Sequence, residues 1–161
     1  MKYICVGTIV NTHALKGEVR IISNFEYKDK VFKKGNTLYL GQNKTPLIIE
    51  SYRVHKQFDM VKFEGLNSIN DVLKYKGDIV YIDEEELSLN DDELLEEDFL
   101  QMSVNCNNKV VGKITEYRND NGNKMIRVNN KFVPYNKDFV DKVDKDNKII
   151  YMHDIEVFLW E

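Results

Sequence analysis

The chain has 161 residues, of which 42% are hydrophobic and 31% are charged, so it has enough apolar material for compact cores beneath a strongly solvated surface. It has no run of about 18 apolar residues and no signal-peptide core, so neither a membrane span nor secretion is indicated, and we expect a cytoplasmic protein. The net charge of -4 is unevenly distributed: residues 1–83 carry +4, residues 84–98 carry -9 and residues 99–161 carry +1. This balance permits contact with RNA but falls well short of an obligate RNA-binding protein.

Short segments rich in β-branched and apolar residues, separated by polar turns, predict strands throughout the first half of the chain. These strands are predicted at residues 3–10, 18–23, 37–40, 47–55, 60–63 and 78–82. Their length and spacing favour a small closed β-barrel, an architecture that leaves no strand edge exposed. One short helix interrupts the pattern. Ser68 and Asp71 resemble a capping box at its start, and Gly77 is expected to end it in a left-handed conformation.

Nine acidic residues and no basic residue lie between positions 84 and 98. Because like charges at this density repel one another, residues 84–93 are predicted to be an acidic linker. The linker would join an amino-terminal domain, residues 1–83, to a carboxy-terminal domain, residues 94–161. Strands of the second domain are predicted at residues 99–104, 110–117, 125–128, 131–134 and 148–152, which favour another small barrel. The predicted fold is therefore mainly β, with two barrels.

The residue patterns typical of catalysis and of metal binding are missing from the sequence. His13, His55 and His153 do not lie at metal-ligand spacing from one another or from a cysteine. Neither a phosphate-binding glycine motif nor a nucleophile elbow occurs. Cys5 and Cys106 are far apart, and we expect them to be small hydrophobic residues in separate cores. We therefore expect no catalytic residue, no cofactor and no metal.

Two polar groups in the first half are candidates for contact with a partner. The loop that ends the first predicted strand contributes His13, Lys16 and Arg20, and a hairpin turn contributes Arg53 and Lys56. Lysine and arginine neutralise phosphate, and a neutral histidine can form hydrogen bonds with a base, a phosphate or a carbonyl group. The same residues are also typical of ordinary solvated turns, and both interpretations stay open.

Aromatic and basic residues flank the turns of the second half. Tyr117, Arg118 and Arg127 bracket a long polar turn, and Tyr135 follows a proline at a strand end. Proline at that position fits the end of a strand because it cannot donate a ladder hydrogen bond. The tyrosines either pack against the strand ends or offer a protein partner a large contact area with one polar tip.

Five motifs follow one another along the chain. They are Val-Gly-Thr-Ile-Val-Asn-Thr-His-Ala-Leu-Lys-Gly-Glu-Val-Arg at residues 6–20, Val-Lys-Phe-Glu-Gly at 61–65, Ile-Asn-Asp-Val with Tyr-Lys-Gly at 69–77, Val-Gly-Lys-Ile at 111–114 and Phe-Val-Pro-Tyr at 132–135. In this order and spacing they resemble the RimM family of ribosome maturation factors, also described as 16S rRNA processing proteins. Ala14 stands where the family has a loop glycine.

The resemblance implies an amino-terminal barrel like those of translation factors and a carboxy-terminal barrel of the PRC type. It implies a non-catalytic assembly chaperone, which we expect to be monomeric, for the head of the small (30S) ribosomal subunit. Its partners would be small-subunit ribosomal protein nineteen and adjacent 16S rRNA. Leu94 and Leu95 stand where the family has an aromatic pair used in subunit association, so they join the candidate partner-binding residues. The alternatives are a stand-alone RNA-binding module and, because similar barrels occur in flavin-binding reductases, an enzyme.

Overall fold

The structure is a computed structural model that describes residues 1–13 and 16–160. These residues are mainly β and divide into two compact units, Met1–Ser88 and Leu89–Glu161. The predicted mainly β class is confirmed. Ala14, which replaces the family's loop glycine, lies outside the described residues. No helix in the described part of the chain is long and apolar enough to cross a membrane.

The strands of the first unit form a closed antiparallel barrel, as predicted. They are β1 (Tyr3–His13), β2 (Glu18–Ile22), β3 (Thr37–Leu40), β4 (Thr45–His55), β5 (Phe58–Phe63) and β6 (Ile79–Asp83). Their order is β1-β2-β5-β4-β3-β6, and β6 pairs with β1 to close the barrel. Because side chains alternate between the two faces of a strand, the apolar ones turn inward. Val19, Ile21 and Val61 are each 0% exposed in this interior.

Short helical turns lie between strands of the barrel and after its last strand. They are α1 (Lys28–Val31), α2 (Ile69–Val72), a 3-10 helix (Leu73–Tyr75) and α3 (Glu84–Leu87). The helix predicted after Ser68 is confirmed, since the Asp71 carboxylate accepts a hydrogen bond from Ser68 N at 3.2 Å. Gly77 adopts a positive φ of 90°, and its N–H donates to the carbonyl oxygen of Ile9 at 2.7 Å. The end of the helical segment is thereby fixed to β1.

The beginning of the acidic segment is folded as part of the first unit. Glu84–Leu87 forms α3, in which Leu87 is only 1% exposed. The carboxylate of Asp83 caps this turn by accepting a backbone hydrogen bond, and the acidic residues of the first turn lie at the positive end of the helix. The first unit accordingly extends to Ser88. The linker function of residues 84–93 and the domain bounds drawn from it stay predictions.

The second unit is a six-stranded sheet around a core of its own. Its elements are α4 (Glu96–Phe99), β7 (Ser103–Cys106), β8 (Lys109–Asp120), β9 (Asn123–Val128), β10 (Lys131–Pro134), β11 (Val140–Asp144), β12 (Ile149–Met152) and α5 (Glu156–Leu159). The strand order is β10-β9-β8-β7-β12-β11, in which β7 and β12 are parallel. Phe99, Ile126, Val133 and Ile150 lie in the core. The predicted strand at residues 131–134 matches β10.

The strands of the second unit differ from the expected ones at two places. The strand predicted at residues 99–104 begins only at Ser103, because Phe99 ends α4 and a turn follows it. The Asp98 carboxylate stabilises the start of α4 by accepting a hydrogen bond from Leu95 N at 3.3 Å. Strand β11 was not predicted, because three of the five residues in Val140–Asp144 are charged and its apolar pattern is weak.

The expectation that both cysteines are core residues is wrong for one of them. Cys106 is buried in the second unit, and this burial raises the pKa of its thiol. Cys5 is exposed. It lies at an outward position of β1, immediately before Val6, which is 2% exposed and faces the barrel interior.

Candidate partner-binding site

The two polar groups predicted in the first half lie on one outer face of the barrel. Arg20 of β2 and Arg53 of β4 both stand opposite Met60 of β5. Residues directly opposite in antiparallel strands share a face. The next row, which contains Val19 and Val61, faces the interior. Strands that are distant in sequence therefore bring the loop group and the hairpin group together.

Rings and guanidinium groups are in contact on this face. The rings of His13 and His55 are stacked, with centroids 5.9 Å apart. The Arg20 guanidinium donates to His13 Nδ1 at 2.8 Å, and its carbon lies 5.4 Å from the centre of the Phe58 ring. Because a guanidinium can only donate, Nδ1 must accept, which places the proton of the neutral His13 ring on Nε2. We call the six residues that share this face the histidine–arginine cluster: His13, Glu18, Arg20, Arg53, His55 and Phe58.

A bidentate ion pair joins two strands of the cluster across a third. Arg53 Nε and Nη2 donate to the two carboxylate oxygens of Glu18 at 2.9 and 2.8 Å. Since β5 lies between β2 and β4, the pair passes over Met60, which is 0% exposed. The hydrogen bond from Arg53 holds the pKa of the Glu18 carboxyl below its ordinary value. The Arg53 side chain remains 49% exposed and accessible to a ligand.

Acidification should remove the stabilising effect of this pair. A carboxyl group whose pKa is lowered in the folded protein stabilises it above the ordinary pKa, and that contribution is lost as the pH falls through the lowered value. We expect the wild type to be more stable than Glu18→Gln at pH 7, and the difference in melting temperature to shrink steadily from about pH 5 to pH 3. Thermal unfolding across this range tests it. The control is Glu64→Gln, which removes a carboxylate at an exposed position; the same pH trend there would contradict a specific effect of the Arg53 pair.

The remaining predicted residues of the first half lie beside the cluster. Lys16 is exposed just before β2. Lys56 is exposed in the turn between β4 and β5, where it adopts a positive φ of 56°. Both add positive charge to this end of the barrel. The alternation of β5 places Phe58 beside Arg20, opposite His55.

Four of the residues predicted to bind a partner in the second half are buried. Leu94 and Leu95 are 2% and 5% exposed. Tyr117 stacks on Phe99 with ring centroids 4.1 Å apart, and Tyr135 meets the same ring edge-on at 4.9 Å. Of the two interpretations open for the tyrosines, packing and surface contact, the structure shows packing, and both leucines are interior as well. Interior side chains present little area to a partner, and the role of these four residues in binding stays a prediction. Arg118 is exposed and Arg127 is half-buried, and both are paired with Glu116.

The described residues contain no group of three histidine, cysteine or acidic side chains arranged to hold a metal ion. What they contain is a surface of positive charge, planar rings and hydrogen-bond donors. Such a surface is suited to binding a polyanion or a protein.

Comparison with known proteins assigns the chain to a family. The model of the RimM N-terminal domain matches residues 4–87, which are the barrel that carries the histidine–arginine cluster. The ribosome maturation factor RimM of Staphylococcus haemolyticus is 38% identical over 162 residues, covering 96% of this chain and 97% of that protein. The chain belongs to the RimM family. The RimM of Bacillus cereus strain G9842 is 34% identical over 173 residues, covering 98% of this chain and 99% of its own length.

The family's fold extends over both units. A crystal structure of a RimM 16S ribosomal RNA processing protein from Pseudomonas aeruginosa superimposes with a TM-score of 0.50 and 16% identity, covering 99% of this chain and 98% of that one. At this identity the likeness concerns the fold alone. The motif resemblance drawn from the sequence is confirmed by the family match.

Proposed function

We propose that this protein is a ribosome maturation factor that binds immature 30S subunits and supports 16S rRNA processing. The observation that carries the proposal is its similarity along nearly the whole chain to relatives named for ribosome maturation, at 38% and 34% identity. It acts in the cytoplasm as a monomeric assembly chaperone, without catalysis. Binding a native-like conformation of the subunit more tightly than a misfolded one shifts the population toward the native form.

The proposed location is the head of the subunit, with small-subunit ribosomal protein nineteen and adjacent 16S rRNA as partners. The motif resemblance is the basis for naming these partners. The histidine–arginine cluster supports an RNA contact, because guanidinium groups neutralise phosphate and flat rings stack on unpaired bases. Lys16 and Lys56 are exposed next to it and extend the basic surface.

The alternative is a stand-alone RNA-binding module, favoured by the charge of +4 on residues 1–83. Binding to RNA alone should weaken steeply with salt, since counterions are released from each neutralised phosphate. A contact shared with a ribosomal protein should weaken less. The charge of -9 on residues 84–98 opposes simple electrostatic binding to RNA and favours the maturation factor.

The double substitution His13→Ala with Lys16→Ala tests the proposed contact. We expect its affinity for immature 30S subunits to fall roughly tenfold, the effect of about 1.4 kcal/mol, while the melting temperature changes little. Co-sedimentation at low and moderate salt measures the affinity, and circular dichroism measures folding. Lys34→Ala is the matched control, because Lys34 is an exposed lysine of the same barrel outside the cluster.

Three results would count against the proposal. Failure of the wild-type protein to co-sediment with immature 30S subunits at low salt would contradict the proposed function itself. Normal binding by the double variant would mean that His13 and Lys16 do not contact the subunit. Loss of folding by the double variant would restore the interpretation of His13 and Lys16 as structural residues of a solvated turn.

A further inference from the structure

A second basic and aromatic surface lies on the sheet of the second unit. Glu116 of β8 stands opposite Arg127 of β9, which in turn stands opposite Phe132 of β10. The neighbouring row, which includes Tyr117 and Val133, points into the core, so this row points outward. We call Glu116, Arg118, Arg127 and Phe132 the arginine–phenylalanine face.

Two guanidinium groups lie over one ring on this face. The guanidinium carbons of Arg118 and Arg127 lie 5.0 and 5.8 Å from the centre of the Phe132 ring, within the range of cation–π attraction. Their side chains remain 57% and 40% exposed. A partly exposed ring with two guanidinium groups over it presents flat groups on which another flat group can stack.

The two arginines share a single carboxylate and keep donor capacity. Arg118 Nε donates to Glu116 at 2.8 Å, whereas Arg127 Nη1 is 3.7 Å from the same side chain. Arg127 Nε is buried and has no hydrogen-bond partner among the described residues, so it is not open to a ligand. Four of the five donor hydrogens of a guanidinium group are on its two Nη atoms, and the Nη groups are therefore the part of Arg127 that can pair with a ligand.

The charge of the second unit is concentrated on the strands that form this face. The segment from β8 to β10, residues 109–134, has six lysine and arginine residues against two acidic ones, for a net charge of +4. The rest of the unit, residues 89–108 and 135–161, has four basic and thirteen acidic residues, for -9. A polyanion would therefore be attracted to this half of the sheet and repelled by the remainder of the unit.

We propose that the arginine–phenylalanine face binds an unpaired RNA nucleotide, whose base stacks on the Arg118, Arg127 and Phe132 stack while the guanidinium groups pair with its phosphate. Stacking of an unpaired base on aromatic rings and guanidinium planes is a general mode of RNA recognition. An acidic peptide could satisfy the charges but would not use the flat stack, so the combination favours RNA. The inference rests on the proposed function, since ribosomal RNA is the polyanion that such a factor meets.

The test uses the full chain and a fluorescent single-stranded RNA of mixed sequence, with an RNA duplex and an oligoglutamate peptide as competitors. Phe132→Leu keeps the apolar contact but removes the ring, and Arg127→Lys keeps the charge but removes the planar group. We expect each to weaken single-strand affinity by about fivefold or more. The slope of log affinity against log salt should be unchanged, because neither substitution removes a charge.

Phe139→Leu is the matched control, since Phe139 is a half-buried phenylalanine of the same unit outside β8 to β10. It should bind RNA like the wild type. Equal affinity of wild type and Phe132→Leu would overturn the inference, and so would displacement of the RNA by oligoglutamate as effectively as by unlabelled single strand. Co-sedimentation with immature 30S subunits is measured in parallel. If the wild type co-sediments but Phe132→Leu binds RNA equally well, only the RNA-binding role of this face is refuted. If the wild type does not co-sediment, the proposed function is refuted.

Discussion

Replacing Gly17 with alanine is expected to destabilise the barrel by about 2–4 kcal/mol. Gly17 has a φ of +89°, a conformation that side chains rarely adopt. A Cβ atom there would lie 2.5 Å from the carbonyl oxygen of Leu66 and 3.1 Å from that of Ser68. Both neighbours are backbone atoms, so the clash cannot be relieved by a rotamer change. Urea unfolding of the full chain, followed by far-ultraviolet circular dichroism, measures the loss.

Gly65→Ala separates the two causes of that destabilisation. Gly65 also has a positive φ, +80°, but nothing lies within 4 Å of the position of an added Cβ. It should lose only the conformational part, about 1 kcal/mol. Equal losses in the two variants would show that the close approach of Leu66 to Gly17 contributes nothing. A larger loss of stability for Gly17→Ala would show that the loop between β1 and β2, which carries Lys16, packs closely on the segment that leads into α2.

The barrel could be predicted from its sequence because its strands are short, apolar and interrupted by clear turns. The strand at residues 37–40 is predicted with the bounds that β3 has. Elements with weak local signals were missed. Charged residues weaken the apolar alternation of strand β11. The strand predicted from Phe99 begins too early because Phe99 is typical of a strand, whereas the Asp98 carboxylate, which accepts from Leu95 N, favours a helical turn there. Short helical turns depend on such single side-chain contacts more than on periodicity.

The candidate site could be predicted only in parts. Charge and composition indicate the loop group and the hairpin group separately. The two groups lie on one face only because β5 lies between β2 and β4. That order is not the order of the sequence. The same limit applies to Phe132, which two guanidinium groups approach only because β8, β9 and β10 pair in a particular register. Tyr117 and Tyr135 were equally ambiguous, since an aromatic residue at a strand end fits a core as well as a surface.

Phe99→Ala is expected to destabilise the second unit by about 3–5 kcal/mol. Phe99 is 2% exposed and is the central ring of an aromatic cluster, stacked on Tyr117 at 4.1 Å and edge-on to Tyr135 at 4.9 Å. Removing it opens a cavity and ends both ring contacts, each of which adds about 0.5–1.5 kcal/mol beyond area burial. Because Phe99 is the last residue of α4, the packing of that helix against β8 is weakened as well.

Hydrogen exchange measured by mass spectrometry resolves this effect by segment. Amides of β8 and β9 should exchange much faster in Phe99→Ala, since their protection depends on the stability of the core beneath them. Leu100→Ala is the neighbouring control, because Leu100 is 48% exposed and its loss should change stability by less than about 0.5 kcal/mol. Unchanged exchange in β8 and β9 of the Phe99 variant would mean that the aromatic cluster does not hold this sheet. The arginine–phenylalanine face would then need another support, because its row of outward residues is fixed in place by the inward row that packs on Phe99.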